Sequence, residues 1–335
     1  MSLVIPVFIP HLGCSHQCLF CNQRSITGEA DNRHSAEEIA GTVREWLSRC
    51  RQNDRVQVAF YGGSFTCLPL REQERMLIAV RPFFESGEVH SIRLSTRPDC
   101  LDKQICLMLS RHGVKTVELG AQSLDDRVLK ISRRGHDVRS ILTAVEVLRE
   151  GGMEIGIQLM VGLPGETTAT FLRGIARVRN LRPGFVRLYP VVVVKGSGLE
   201  LLYNRGEFRP LSLNRAIALS ALACSQLEEA GIPVIRMGLQ PSESLRKSMV
   251  AGPHHPAFGE LVRSRLHYRE MRERLFRLAA GESLEITVSH RDMSQIVGRR
   301  RQNIKRLEQL GFGGRFTITV DKTLQRGSIR YVVSK

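Results

Sequence analysis

Short apolar segments alternate with amphipathic segments along the first part of the chain, and this alternation restricts the fold more than any other feature. Apolar runs of strand length cover residues 4–10, 56–61, 91–95, 115–120, 154–161 and 185–194. Segments with helical spacing lie between them, at residues 35–49, 71–85, 101–112, 124–132, 138–150 and 168–180. Strands separated by helices imply βαβ units, a parallel sheet and right-handed crossovers. We therefore predict an α/β protein with its functional residues at the carboxyl ends of the strands.

The totals favour one large α/β domain with a small appendage, because the chain has 335 residues and 42% of them are hydrophobic. No apolar run approaches the ~18 residues that cross a bilayer. Pro6 and Pro10 interrupt the first apolar run, and no charged segment precedes it, so neither a signal peptide nor a membrane partner is expected. The eight cysteines show no paired framework spacing, which favours a reducing compartment and hence the cytoplasm.

Three cysteines, Cys14, Cys18 and Cys21, follow the first apolar run at C-x3-C-x2-C spacing. A loop with this spacing can place three sulfurs around one small inorganic group, and thiolates are the usual ligands of iron–sulfur clusters. A cubane cluster normally takes four protein ligands, so three leave one iron open, as a catalytic zinc keeps one position free. The alternatives are a zinc site completed by His11 or His16, or three unrelated thiols. No second C-x2-C arm exists to complete a zinc ribbon.

Glycine-rich and polar motifs follow the ends of the later strands. They are Gly62-Gly63-Ser64-Phe65, Ser95-Thr96-Arg97-Pro98-Asp99, Gly120-Ala121-Gln122-Ser123, Arg133-Arg134-Gly135-His136 and Gly162-Leu163-Pro164-Gly165-Glu166-Thr167, with Gln158 inside the fifth strand. Paired glycines let the backbone approach a ligand closely. Because the carboxyl ends of parallel strands meet at one edge of a sheet, these motifs predict one shared ligand site.

The cysteine spacing, together with these motifs, resembles the radical S-adenosylmethionine (SAM) superfamily over about residues 1–250. The later motifs are similar to those of Elp3-like proteins, here without the acetyltransferase domain, and also to oxygen-independent coproporphyrinogen oxidase-like proteins. The resemblance implies a partial (β/α)6 TIM-like barrel that binds a [4Fe-4S] cluster and SAM. It further implies that a reductant such as flavodoxin or ferredoxin reduces the cluster, which then cleaves SAM to a 5′-deoxyadenosyl radical.

The resemblance also implies roles for individual residues. Phe20 would pack beside the adenine of SAM, and the loop of Gly62, Gly63 and Ser64 would contact its amino group. Gln122 would face the methionyl end of SAM, and Arg134 would pair with its carboxylate, which suits a bidentate guanidinium. Ser95 stands where relatives usually carry a glutamate, and Gln158 where some carry an aspartate. At both positions the contact to SAM is expected without a charge.

The last part of the chain differs in composition from the rest. The net charge is +16, and residues 253–335 hold seventeen Lys/Arg against eight Asp/Glu, a surplus of +9. Such a surplus fits either a polyanion partner or a solvated basic surface. The segment reads as a basic helix, a strand, two short helices joined at Gly298, and a hairpin of residues 315–320 and 328–333. This order resembles a KH-like RNA-binding module, whose GXXG loop clamps the nucleic-acid backbone.

The KH-like resemblance points to Arg299, Arg300, Arg301, Lys305 and Arg306 as RNA contacts. Arg301 replaces the second glycine of the GXXG loop. The predicted organisation is a radical SAM core at residues 1–250, a connecting loop and helix at 251–280, and a small basic α+β domain at 281–335.

The remaining cysteines are expected to be free thiols that pack in the interior: Cys50, Cys67, Cys100, Cys106 and Cys224. A catalytic role stays open for Cys67 alone, because it follows the Gly62-Gly63-Ser64 loop directly.

Three hypotheses remain for the function. The first is a radical SAM enzyme that acts on RNA, with a tRNA base as the target. The second is a radical SAM enzyme that acts on a small molecule, a porphyrin-like one included, and the third is a non-catalytic, metal-containing nucleic-acid-binding protein.

Overall fold

The structure is a computed structural model that describes residues 2–9, 12–14, 16–22, 35–49 and 55–335. The chain forms two compact units. The larger unit comprises residues 1–216 and 226–254, and the smaller one comprises residues 217–225 and 255–335. Among the described residues, no helix has the length and hydropathy needed to cross a membrane.

A seven-stranded parallel sheet forms the centre of the larger unit. Its strands, in spatial order, are β1 (Ser2–Phe8), β2 (Arg55–Tyr61), β3 (Ser91–Thr96), β4 (Val114–Gln122), β5 (Glu154–Val161), β6 (Phe185–Pro190) and β8 (Val234–Met237). The order follows the sequence, as expected when each strand returns beside the previous one through a right-handed crossover. The curled sheet with its helices confirms the predicted partial TIM-like barrel. A short antiparallel pair, β7 (Val193–Val194) and β9 (Met249–Ala251), lies outside this sheet.

The helices of this unit follow the strands in turn. They are α1 (Ala36–Leu47), α2 (Leu70–Glu85), α3 (Lys103–Arg111), α4 (Asp126–Ile131), α5 (Val138–Glu150), α6 (Thr168–Leu181), α7 (Gly198–Asn204) and α9 (Glu243–Ser248), while α8 (Leu213–Glu229) spans residues of both units. Most begin at a side-chain cap: Asp102, Asp125, Asp137 and Thr167 each accept a hydrogen bond from a backbone N–H of the first turn. Each such cap contributes about 1 kcal/mol and determines where the helix begins.

The sheet is buried through its centre. Ile5, Val58, Leu94, Leu119, Ile157 and Leu188, one from each of six adjacent strands, are fully buried. Near-continuous burial is typical of parallel strands that are covered on both faces. Polar groups inside such a sheet therefore need partners within the protein.

The smaller unit contains a three-stranded sheet with β10 (Ser283–Ser289) between β11 (Phe316–Asp321) and β12 (Ile329–Ser334). Its helices are α10 (Phe258–Phe276), α11 (Met293–Val297) and α12 (Gln302–Leu307). Strand β10 is parallel to β11 and antiparallel to β12. Leu284, Ile286 and Val288 of β10 join Met271 and Leu275 of α10 in one buried cluster.

The prediction that the last two strands form a hairpin is wrong, because both pair with β10 rather than with each other. The inward residues of β10 are at most 2% exposed, whereas the inward residues of the two outer strands are only partly buried. The central position buries them best. The link from Asp321 to Ile329 is also longer than the two to five residues of common hairpin turns, so it can carry the chain across the sheet.

Candidate functional site

A large cavity opens at the carboxyl ends of the parallel strands, with a volume of about 1580 Å³. All three cysteines of the C-x3-C-x2-C motif and all eight residues predicted to contact SAM line it. They are Cys14, Cys18, Cys21, Phe20, Gly62, Gly63, Ser64, Ser95, Gln122, Arg134 and Gln158. The structure thus brings together residues that lie up to 144 positions apart in the chain, between Cys14 and Gln158.

The cysteine loop lies directly against the glycine loop that follows β2. The backbone N–H of Ser64 donates to the carbonyl of Leu12 at 2.9 Å. A Cβ at Gly13 would collide with the carbonyl of Ser64, and a Cβ at Gly63 would collide with the carbonyls of Ile9 and Leu12. Only glycines allow this approach of two backbones. The two loops therefore hold one wall of the cavity together without using side chains.

Arg134 connects the cysteine loop to β4. Its Nη1 donates to the Sγ of Cys18 at 3.2 Å, and its Nη2 donates to the carbonyl of Gly120 at 2.6 Å. Its Nε is buried and has no partner among the described residues. Burial raises the pKa of the Cys14 thiol, although the charge of Arg134 opposes this rise. A guanidinium at this place can stabilise anionic sulfur or a ligand carboxylate.

The three thiols share this cavity but are not arranged as a finished metal cage. Within the described ranges, no three His, Cys, Asp or Glu side chains lie close enough to hold a metal ion. Cys18 is buried, Cys21 is half-buried and Cys14 is exposed, so the three face the cavity from different depths. Of the histidines that could complete a zinc site, His16 lines the cavity and His11 lies outside the described residues. Thiols are soft donors, and an iron–sulfur cluster bound by all three of them fits this set.

Gln122 stands at the end of β4 in the left-handed region, with φ 66°. This conformation costs free energy for any residue other than glycine. Non-glycine residues that adopt it are concentrated at sites where a side chain is directed at a ligand. Gln122 lines the cavity beside Gly120 and Arg134. The sequence identified this residue by motif, but its conformation is known only from the structure.

Ser95 and Gln158 are hydrogen-bonded to each other, and Gln158 also binds a buried carboxylate. The Gln158 Nε2 donates to the Ser95 Oγ at 3.1 Å and to the Oε2 of Glu118 at 2.9 Å. Glu118 is fully buried inside the sheet. Its Oε1 accepts from Arg187 at 2.8 Å, Arg93 at 3.2 Å and the Tyr61 hydroxyl at 3.3 Å. Glu118 thus lies on the strand between those of Ser95 and Gln158, but it is not among the residues that line the cavity.

Arg97 is a cavity residue that sequence reasoning did not select. Its side chain is 3% exposed, and its Nε and Nη2 donate to Asp99 at 3.0 and 2.8 Å. Its Nη1 is buried without a partner among the described residues. Burial raises the pKa of Asp99, but the hydrogen bonds and charge of Arg97 outweigh it and lower the pKa overall. The Arg-Pro-Asp run at the end of β3 was the available signal.

His136 lies behind this pair, with its Nδ1 3.7 Å from the Oδ1 of Asp99. Its side chain is fully buried and is not among the residues that line the cavity. Burial, reinforced by the charge of Arg134, lowers the pKa of His136 to about 3. The ring is therefore neutral at physiological pH.

Cys67 and Cys100 form a disulfide, so the prediction that both are free thiols is wrong. Cys67 follows the glycine loop after β2, and Cys100 follows the Arg97-Pro98-Asp99 turn after β3. The two turns lie side by side in the fold, although 33 positions separate the cysteines in the chain. Ser64 reinforces the same junction, since its Oγ accepts from the Arg97 N–H at 3.0 Å.

Replacing both Cys67 and Cys100 by serine is expected to lower the free energy of unfolding by about 3 kcal/mol, since the bond closes a loop of 33 positions. Urea unfolding of the anaerobic protein measures this. Dithiothreitol should shift the parent to the same urea midpoint as the double variant and leave the variant unchanged. A parent midpoint that does not respond to dithiothreitol would contradict the bond.

Comparison with protein families gives two matches along the chain. A model described as the radical SAM superfamily matches residues 8–175, and one described as the radical SAM C-terminal domain matches residues 183–268. The first match contains the cysteine motif and the strand-end residues through Gln158, and the second contains Arg187. Together they contain every residue that lines the cavity except Val4 and Pro6.

Individual relatives agree with these models. A protein of Methanocaldococcus jannaschii described as uncharacterized is 29% identical over 238 residues, which are 67% of this chain and 70% of that protein. The tRNA uridine(34) acetyltransferase of Methanocaldococcus infernus is 27% identical over 263 residues, covering 66% of this chain and 49% of the acetyltransferase. This chain therefore spans about half the length of that enzyme.

A solved structure of Elp3 from Methanocaldococcus infernus, lacking its N-terminus, shares the fold with a TM-score of 0.62. The identity is 23%, and the match covers 82% of this chain and 63% of that chain.

Proposed function

Because this chain belongs to the radical SAM superfamily, we propose that its reaction begins with reductive cleavage of SAM and that its substrate is an RNA, with a tRNA base as the target. The chain is a radical SAM enzyme, and its cofactors are a [4Fe-4S] cluster and SAM. When bound, the cluster supplies the electron that cleaves SAM to a 5′-deoxyadenosyl radical. The proposal includes a flavodoxin or ferredoxin as reductant and a reducing, cytoplasmic setting.

Cys14, Cys18 and Cys21 would hold the cluster in this proposal. Among the described cysteines they are the ones that line the cavity, since Cys106 and Cys224 are buried elsewhere and Cys67 is bonded to Cys100; Cys50 lies outside the described residues. Arg134, with one donor already on the Cys18 sulfur, would stabilise the thiolate form. Arg134 also lines the cavity, from which its guanidinium group would pair with the carboxylate of SAM.

The remaining SAM contacts would come from the ends of β2 and β4 and from the cysteine loop. The backbone carbonyls in the loop of Gly62, Gly63 and Ser64 would accept from the amino group, and Phe20 would pack beside the adenine. Gln122, in its left-handed conformation, would face the methionyl end. Ser95 and Gln158 would bind through neutral groups, and the Gln158 amide already donates to the Ser95 hydroxyl and to the buried Glu118 carboxylate.

The proposal of an RNA substrate rests on the turn from Gly298 to Arg301 in the smaller unit. Arg300 and Arg301 both lie in the left-handed region, with φ 51° and 60°. Arg299, Arg300 and Arg301 are exposed, as is Lys305 in the helix that follows, while Arg306 is half-buried. Two consecutive left-handed arginines cost roughly 1 kcal/mol or more each, and glycine would avoid that cost. Arginines at these positions are therefore better explained by a ligand than by stability.

The turn is held in place from inside. Asn303 is 4% exposed, and its Nδ2 donates to the carbonyl of Ile296 at 2.9 Å and to the Ser264 Oγ at 3.0 Å. A Cβ at Gly298 would press against Asn303, with the nearest atom at 2.9 Å. A glycine is thus required at the first position, as in the GXXG loop. The fixed turn presents three guanidinium groups in a preorganised way, which suits a phosphate backbone.

The similarity to tRNA uridine(34) acetyltransferases supports the tRNA part of this proposal. Because this chain spans about half of those enzymes, transfer of an acetyl group is not included. The proposal is limited to a SAM-derived radical that acts on an RNA base.

The triple variant Arg299/Arg300/Arg301→Ala is expected to bind tRNA at least about tenfold more weakly near 0.1 M salt. The slope of log K against log salt should become shallower by about 2, because three phosphate contacts and their released counterions are lost. Filter binding or fluorescence anisotropy over a salt series measures both quantities. The matched control, Arg71/Arg127/Arg205→Ala, removes the same charge from exposed positions of the larger unit and should retain the parent slope.

Arg301→Gly separates charge from turn geometry. Glycine favours the left-handed conformation, so the variant should be at least as stable as the parent, while its salt slope should become shallower by about 0.7, a third of the change in the triple variant. If the triple variant binds tRNA as tightly as the parent, the RNA proposal fails. A small-molecule substrate would then be favoured, provided that SAM cleavage with dithionite persists.

A further inference from the structure

The cavity is lined by more positively charged side chains than the proposed binding of SAM and the cluster involves. Among the described residues that line it are five arginines, Arg97, Arg133, Arg134, Arg187 and Arg236, and one carboxylate, Glu200. The Oε2 of Glu200 accepts from the backbone N–H of Gly196 at 2.7 Å, so it serves a local turn. A half-closed space with this surplus favours anionic ligands.

The arginines belong to different parts of the cavity. Arg97 and Arg134 act on the cysteine loop, since both influence the ionisation of Cys14 and Arg134 contacts Cys18. Arg187 and Arg236 lie on the adjacent strands β6 and β8 and pair directly in register. Directly paired residues of neighbouring strands are about 5 Å apart. A second pair of guanidinium groups thus stands away from the cysteines.

Arg187 is oriented from below by the buried network. Its Nη2 donates to the Glu118 Oε1 at 2.8 Å and to the Tyr61 hydroxyl at 3.1 Å. The same Glu118 oxygen also accepts from Arg93 at 3.2 Å, so one carboxylate is the counter-ion of two guanidinium groups. The Nε of Arg187 is buried without a partner among the described residues. The network therefore keeps one positive charge in excess at the floor of the cavity.

Arg236 has a neutral partner only. Its Nη2 donates to the amide oxygen of Gln240, and no carboxylate in the described part of the chain forms an ion pair with it. Like charges on adjacent strands repel each other. Because Arg187 and Arg236 are paired in register and both half-buried, this repulsion is only partly screened by solvent. An anion placed between them would remove it.

We propose that Arg187 and Arg236 form a subsite that binds a phosphate group of the second substrate. Arg187 and Arg236 reach the cavity from two adjacent strands, and Tyr61 and Tyr189 line the same cavity. Donors from several directions suit a tetrahedral phosphate better than a planar carboxylate, which one guanidinium can bind alone. The phosphate can be a diester of RNA or a monoester of a free nucleotide. This inference rests on the proposed function in treating the cavity as the place of reaction.

The test compares uridine 5′-monophosphate with uridine, using anaerobically reconstituted protein with SAM and no reductant. The parent is expected to bind the monophosphate at least about tenfold more tightly, the effect of one charge-assisted contact. Arg236→Gln should reduce this preference below about threefold and leave uridine binding unchanged. Arg205→Gln, an exposed arginine outside the cavity, should keep the parent preference. Arg236 is chosen because removing Arg187 would also disturb the fold around Glu118.

Inorganic phosphate should compete with the monophosphate in the parent. Repeating the measurement with the trinucleotide UpUpU shows which kind of phosphate binds. If UpUpU also binds more tightly than uridine and Arg236→Gln removes this preference, the subsite takes phosphodiesters. If only the monophosphate is preferred over uridine, the subsite takes a free nucleotide. Equal binding of uridine and its monophosphate by the parent would overturn the subsite, as would an Arg236→Gln variant with the parent preference. Neither result affects tRNA binding by the Arg299–Arg301 turn or SAM cleavage, so the two proposals fail separately.

Discussion

Cys18→Ala is expected to lose the cluster and, with it, the formation of 5′-deoxyadenosine from SAM. Cys18 is 7% exposed and receives the Arg134 guanidinium at 3.2 Å, so its sulfur is the most firmly placed of the three. Two remaining thiols cannot retain a cubane that already has one open iron. Product formation with dithionite should fall at least about a thousandfold, which corresponds to roughly 4 kcal/mol in the activation barrier. Iron content and the visible absorption of the cluster should fall in parallel.

Cys106→Ala provides the matched control. This thiol is also buried, at 3% exposure, but it packs between Val147 and Met153 and is absent from the cavity wall. Its loss should leave iron content and 5′-deoxyadenosine formation at parent levels. Full turnover and an intact brown chromophore in the Cys18→Ala protein would rule out the assignment of the cluster to these cysteines.

Glu118→Gln is expected to destabilise the larger unit by about 3–5 kcal/mol. The substitution leaves Arg93 and Arg187, with side chains 13% and 14% exposed, without their shared counter-ion. Removing one partner of a buried ion pair costs this much because the remaining charge is left uncompensated. The new amide also turns a donor towards Gln158 or towards the arginines, so one hydrogen bond becomes a repulsive contact. Urea unfolding of the anaerobic protein gives the difference in free energy.

Glu154→Gln is the comparison for this measurement. Glu154 begins the neighbouring strand β5, is exposed, and accepts from the Thr116 hydroxyl at 2.7 Å. An exposed carboxylate with one neutral partner should change stability by less than about 1 kcal/mol when it becomes an amide. Equal losses for the two variants would show that Glu118 is not the central counter-ion of the sheet.

The sequence was sufficient for the barrel and for the position of its site. Apolar runs separated by amphipathic segments determine a parallel sheet, and a parallel sheet places every strand end at one edge. Cys14, Gly63, Gln122, Arg134 and Gln158 could therefore be assigned to one cavity before any distance was known. The structure brings all five together there. The assigned roles of these residues stay predictions that the variants test.

The smaller unit shows where local pattern is insufficient. The strands at 316–321 and 329–334 were both recognised, but their pairing was not, because β10 takes the buried central position and pairs with both of them. The order of the strands along the chain does not show which of them pair with each other. Similarly, the sequence shows that Arg301 replaces the second GXXG glycine, but only the structure shows that Arg301 keeps the left-handed geometry and that Asn303 fixes the turn.

The sequence by itself determined the order of strands and helices, the cysteine trio and the glycine turns, because these depend on spacing along the chain. Only the tertiary structure decided that Cys67 bonds to Cys100, that Arg97 and Arg236 face the cavity, and that Glu118 lies beneath Ser95 and Gln158. These contacts join different strands of the sheet. The physical reason is that the partner of a buried charge or thiol is chosen by the register and curvature of the sheet, and residue spacing carries no record of either.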